Sequence, residues 1–151
     1  MQNPQEGIPS GMNTHIQQLP ARVETATVTR TILVIDDDSA ILEMLAWALE
    51  DAGYTVAAVS SGREALQWIR AASAVGEPPV LILLDLALPG MSGQQVVAAL
   101  HEQWGARVWP IIVISADSRA ELRGRELGAA FTLKKPFHLE GLLEVVRQFA
   151  A

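Results

Sequence analysis

The sequence contains no cysteine in its 151 residues. Disulfide bridges, thiol catalysis and Cys-rich zinc or iron–sulfur sites are therefore excluded. Histidine occurs three times, at His15, His101 and His138, too far apart in sequence to suggest a metal pair. Lysine is almost missing, with Lys134 and Lys135 the whole complement. No apolar run approaches the ~18–20 residues a membrane span needs. The longest candidate, around Val80–Leu88, is interrupted by Asp85. The net charge of −6, with a pI near 5.0, argues against bulk attraction to nucleic acid or an anionic membrane. No basic segment leads into an apolar stretch at the start, so no secretory signal is read and a cytoplasmic location is expected.

What is present is apolar. Half the residues are hydrophobic and mean hydropathy is +0.23, enough for one packed interior and a modest appendage. The chain divides near residue 30. Residues 1–30 carry Pro4, Pro9, Pro20, Gly7 and Gly11 and keep neither a helical nor a strand period. They are expected to form a flexible tail, either a plain extension or a docking segment for a partner. Its charges cancel, so the whole −6 falls on residues 31–151, expected to form a single domain.

From Thr31 the hydrophobic period alternates between strand and helix. Thr31–Ile35 reads as a strand buried on both faces. Ser39 is expected to cap a helix carrying Ile41, Leu45 and Leu49, ended by Gly53. Tyr54–Val59 reads as a strand, Gly62–Ala72 as a helix, and Val80–Leu84 as a central strand. Ser92 is expected to cap a helix with Val96, Val97, Leu100 and Trp104. Ile111–Ile114, a weak helix over about Ser118–Leu127, Phe131–Leu133 and a last helix with Leu139, Leu142, Leu143 and Val146 complete the series. Five such units with strands too apolar to face water predict an α/β fold, a doubly wound parallel sheet with helices on both faces. A closed barrel would need eight strands and roughly twice the length.

In such a sheet the C-terminal ends of the strands form the functional edge. Asp36, Asp37 and Asp38 follow the first strand, Asp85 ends the third, Ser115 the fourth and Lys135 the fifth. One polar residue after a strand is common, since helices need caps. Four such positions, with adjacent acids at the first, exceed what capping explains. Converging carboxylates repel one another unless a divalent cation sits between them, and Mg²⁺ is the hard, oxygen-preferring ion suited to that place. An aspartate beside it can also attack phosphorus. The spread charge of a transferring phosphoryl group calls for a hydroxyl donor and a cation, which Ser115 and Lys135 supply. Lys135 is preferred over Lys134 because strand alternation sends one of the two toward the edge and Pro136 restricts its backbone; a cis bond there is allowed for.

The stretches Ile32–Asp38, Leu83–Gly93, Ile114–Ala116 and Lys135–Phe137 resemble, in order and spacing, the receiver domain of two-component response regulators. The resemblance covers residues 31–151. It implies a flavodoxin-like five-stranded sheet in the order 2-1-3-4-5, the order for which the chemotaxis receiver is the standard example. It also implies that Asp85 is the phosphoacceptor, that Asp36 and Asp37 hold Mg²⁺ together with Asp85, and that the backbone carbonyl of Ala87 completes the metal contacts. Ser115 would be the switch hydroxyl and Lys135 the cation that pairs with the phosphoryl group. The implied phosphodonor is a phosphohistidine on a sensor histidine kinase or histidine phosphotransfer protein. Asp38 is read as a solvated or helix-start acid. A chain ending at Ala151 is expected to lack an effector and to act on a downstream protein, without contacting nucleic acid or membrane directly.

Three positions depart from the family's habit. Thr132 occupies a place where a large aromatic is common, and Phe131, one residue off, should face the other way. The segment between Ser115 and Gly128 is about two residues short, and Ala87 is smaller than usual. Two other readings follow: a pseudo-receiver that binds proteins without phosphate, or an aspartate-nucleophile phosphatase of the haloacid dehalogenase kind, for which Glu140 and Glu144 would be the only later acids. The four tryptophans and Met91 are expected to be packing groups. Arg119, Arg123 and Arg125, interleaved with Glu121 and Glu126, are expected to form a solvated surface.

Overall fold

A computed structural model describes residues 30–105 and 109–150. Residues 1–29, expected to belong to the flexible tail, lie outside the described residues. Ten elements alternate: β1 (Thr31–Ile35), α1 (Ser39–Asp51), β2 (Thr55–Val59), α2 (Gly62–Ala74), β3 (Leu81–Asp85), α3 (Gly93–Trp104), β4 (Ile111–Ser115), α4 (Ala120–Leu127), β5 (Phe131–Lys134) and α5 (Leu139–Phe149). All strands pair in parallel, in the order β2-β1-β3-β4-β5.

Strand parity sorts the core. Successive side chains of a strand point to opposite faces, and β1, β3 and β4 are apolar at both parities. Leu33, Ile35, Ile82, Leu84 and Val113 face Leu66 and Ile69 of α2 and Val96 and Leu100 of α3. Ile32, Val34, Leu81, Leu83, Ile112 and Ile114 face Leu45 and Leu49 of α1 and Leu142 and Val146 of α5. The central strands are buried along their whole length, whereas β2 and β5, with a neighbour on one side only, are half-exposed. The order 2-1-3-4-5 reverses direction between β1 and β3, which opens a crevice at the carboxyl ends of those two strands.

The helix starts refine the sequence expectations. Asp38, and not Ser39, caps α1: its Oδ1 accepts the Ala40 N–H at 2.9 Å, and Ser39 is already helical. Two adjacent residues compete for that cap, and Asp38 is the one left in extended backbone (φ −89°, ψ 110°). Ser92 caps α3 in a capping box with Gln95. α4 starts at Ala120, two residues later than expected, because the Asp117 carboxylate takes the Arg119 N–H and holds 117–119 in a turn. Trp68, Trp104, Trp109 and Met91 pack against the core. Trp47 does not: it is 67% exposed on the outer side of α1. No helix among the described residues is long and apolar enough to cross a membrane.

Candidate functional site

Asp36 and Asp85 stand side by side because β1 and β3 pair in register through Ile35↔Leu84. Each is almost fully buried, at 2% and 4% exposure, where an unpaired carboxylate is costly. Asp36 Oδ1 accepts the Asp38 N–H and Asp85 Oδ1 accepts the Ala87 N–H, each at 2.9 Å. Their other oxygens share one cation: Lys135 Nζ lies 3.3 Å from Asp36 Oδ2 and 3.3 Å from Asp85 Oδ2. Lys135 reaches them from just past the end of β5, and the Lys135–Pro136 peptide that follows is cis. Lys134 belongs to β5 and is exposed.

Asp37, exposed beside them, completes an acidic trio. One carboxylate oxygen from each of Asp36, Asp37 and Asp85 falls within 4.8 Å of the others. With Lys135 counted, the site still carries an excess of negative charge. Burial, and secondarily the neighbouring Asp85, raises the Asp36 pKa despite the Asp38 amide and Lys135. Burial alone would lower Lys135, but the Asp85 and Asp36 carboxylates outweigh it and hold the ammonium above its ordinary value. A second cation between the three carboxylates would relieve the Asp36–Asp85 repulsion. The all-oxygen donor set fits a hard ion of the Mg²⁺ kind.

Ser115 is 3% exposed at the end of β4, next to the strand carrying Asp85, and its Oγ accepts the Asp117 N–H at 3.1 Å. A cleft of about 250 Å³ opens beside it, lined by Ala87, Gln94, Asp117 and Arg123 among others. Gly93 is fixed by sterics: a Cβ there would stand 2.8 Å from Leu86 Cα, so α3 can approach the loop after Asp85 only without a side chain. The structure therefore brings Asp36, Asp37, Asp85, Ser115, Lys135 and Ala87 to one edge. Asp38 spends its carboxylate on the α1 cap. Glu140 lies outside the acidic trio, at the start of α5, as does Glu144 farther along that helix.

One contact escaped the sequence reading. Arg123, expected on a solvated face, pairs with Asp117, its Nε 3.1 Å from Asp117 Oδ2. The six-residue spacing runs from a loop into a helix, so no periodicity announces it.

The family model of the response regulator receiver domain matches residues 32–147. The chain belongs to that family. Among curated proteins, this receiver is 37% identical over 123 residues to the DNA-binding response regulator MtrA of Mycobacterium tuberculosis, covering 80% of this chain and 50% of the relative. It is 35% identical over 132 residues to the alkaline phosphatase synthesis transcriptional regulatory protein SphR of Synechococcus elongatus, covering 83% and 51%. The chain thus spans about half the length of the curated relatives it matches. Among solved structures it resembles chemotaxis protein CheY4 of Vibrio cholerae, with a TM-score of 0.69 and 31% identity over 81% of this chain and 99% of that one. A CheY-like receiver domain protein from Methanospirillum hungatei gives 0.70 and 27%, over 82% and 94%. The receiver fold and the strand order 2-1-3-4-5 are thereby established for this chain, as a signalling module of two-component systems.

Proposed function

We propose that Asp85 of this receiver accepts a phosphoryl group from a phosphohistidine of a sensor histidine kinase or histidine phosphotransfer protein. The observation that carries the reading is the placement of Asp85: buried, bridged to Lys135, and within metal-sharing distance of Asp36 and Asp37. A carboxylate oxygen of Asp85 attacks phosphorus. The new P–O bond forms as the P–N bond of the donor breaks, and the imidazole nitrogen leaves with the bonding pair and takes up a proton. Asp36, Asp37, Asp85 and the Ala87 carbonyl would hold Mg²⁺, which when bound supplies positive charge against the phosphoryl oxygens. Lys135 is already beside Asp85 and supplies a second cation to the same oxygens. Ser115 donates its hydroxyl hydrogen to the phosphoryl group, and its displacement carries the state of Asp85 to a surface read by a downstream protein.

Incubation with Mg²⁺ and acetyl phosphate, followed by intact mass, tests this. The expected result is one acid-stable, base-labile phosphoryl adduct that is absent from Asp85→Asn. A folded, Mg²⁺-binding chain that forms no adduct would instead be a phosphate-independent protein-binding module. Turnover of phosphate monoesters that survives Asp85→Asn and is lost in Asp36→Asn would mark a phosphatase.

A further inference from the structure

Ser115 does not stand free. Its Oγ keeps its own proton to donate, but its place is set by the Asp117 N–H it accepts. Asp117 is held in turn at both carboxylate oxygens: Oδ1 by the Arg119 N–H at 2.8 Å, Oδ2 by Arg123 of α4. Arg123 Nε is buried yet makes no aligned hydrogen bond, so its hold on Asp117 is mainly Coulombic. The next residue, Gly124, is where α4 closes on the sheet, since a Cβ there would collide with Thr132 Oγ1. The hydroxyl, the 116–119 loop and the inner face of α4 therefore form one chain of contacts. The cleft beside Ser115, which Ala87 leaves open, gives the loop room to move. Thr132, short and β-branched, has no ring to swing into the space Ser115 would vacate, and Phe131 points away, toward Phe149.

We propose that Arg123 is a positioning residue for Ser115: by holding Asp117 it keeps the hydroxyl in its resting place and ties that place to α4. Phosphorylation of Asp85 draws Ser115 away, and the Asp117–Arg123 pair resists. This rests on Asp85 being the phosphoacceptor. Breaking the pair then favours the phosphorylated state and loosens α4.

The full chain with Mg²⁺ and acetyl phosphate, followed by intact mass, reads the rate of adduct formation. Arg123→Gln is expected to raise it about two- to fivefold, the range an exposed ion pair spans. Arg123→Lys keeps the wild-type rate. In a Ser115→Ala background Arg123→Gln changes nothing, a dependence that a general packing role would not show. Hydrogen exchange of 120–127 without phosphodonor is faster in Arg123→Gln than in wild type. If wild type forms the adduct and Arg123→Gln matches its rate, or alters it equally with Ser115→Ala, the proposal is overturned while the phosphoacceptor reading stands. If wild type forms no adduct, both fall.

Discussion

Lys135 meets Asp85 across fifty positions of sequence, Nζ to Oδ2 at 3.3 Å, and stands at the same distance from Oδ2 of Asp36. One ammonium thus serves two buried carboxylates, and its removal leaves both uncompensated. Lys135→Met is expected to cost about 1–3 kcal/mol in metal-free urea unfolding at pH 7. The two carboxylates hold Lys135 above its ordinary value, so the stability it contributes is complete below about 10.5 and is lost as pH rises through the raised value. A gap between wild type and variant that closes already at pH 8 would contradict this.

Asp36 works in the opposite sense. Its pKa is raised, chiefly by burial, so its ionised form is disfavoured in the folded state. Its favourable contribution is full below the ordinary 3.8 and is lost as pH rises through the raised value. Asp36→Asn should therefore melt higher than wild type at pH 7 in EDTA, by about 2–5 °C, with the difference vanishing in acid. Millimolar Mg²⁺ should stabilise wild type and leave the variant unmoved. Equal Mg²⁺ responses would remove Asp36 from the metal site.

Asp37 and Asp38 are neighbours with separate tasks. Asp38 caps α1, so Asp38→Ala should cost about 1 kcal/mol of stability and leave the Mg²⁺-induced shift in Tm intact. Asp37→Asn should do the reverse. Thermal melts of both, with and without Mg²⁺, separate cap from ligand.

Two glycines predict opposite outcomes for one substitution. At Gly93 a Cβ meets the Leu86 backbone, so Gly93→Ala should destabilise by about 1–3 kcal/mol and weaken Mg²⁺ binding by shifting the loop after Asp85. At Gly141, within α5, a Cβ meets nothing, and alanine should add about 0.5–1 kcal/mol. Chemical denaturation checks both signs.

The sheet was legible because β1, β3 and β4 are apolar at both parities, which only a strand covered on two sides demands. The site was legible because a polar residue ends β3 and β4 and directly follows β1, and parallel pairing puts all such ends on one edge. Parity also put Phe131 on the face opposite Thr132, and the structure adds that Thr132 is the one that meets α4 at Gly124. What escaped depends on competition and on non-local geometry. Asp38 and Ser39 are both good caps, and only backbone conformation decides between them. Trp47 looked like a packing residue by type, yet α1 meets the sheet through Leu45 and Leu49, which leaves Trp47 outside. The Asp117–Arg123 pair joins a turn to a helix, a relation with no sequence period.

The near-absence of lysine has a practical consequence. Lys134 and Lys135 are the only side-chain amines in the sequence, one exposed on an edge strand and one four-fifths covered between two carboxylates. An amine-directed label therefore reports on the site almost without background. Among the side chains, modification should stop at Lys134 while the Lys135 ammonium is held, with the α-amine of Met1 as the one other amine that labels. Lys135 should react only when something releases it from Asp36 and Asp85.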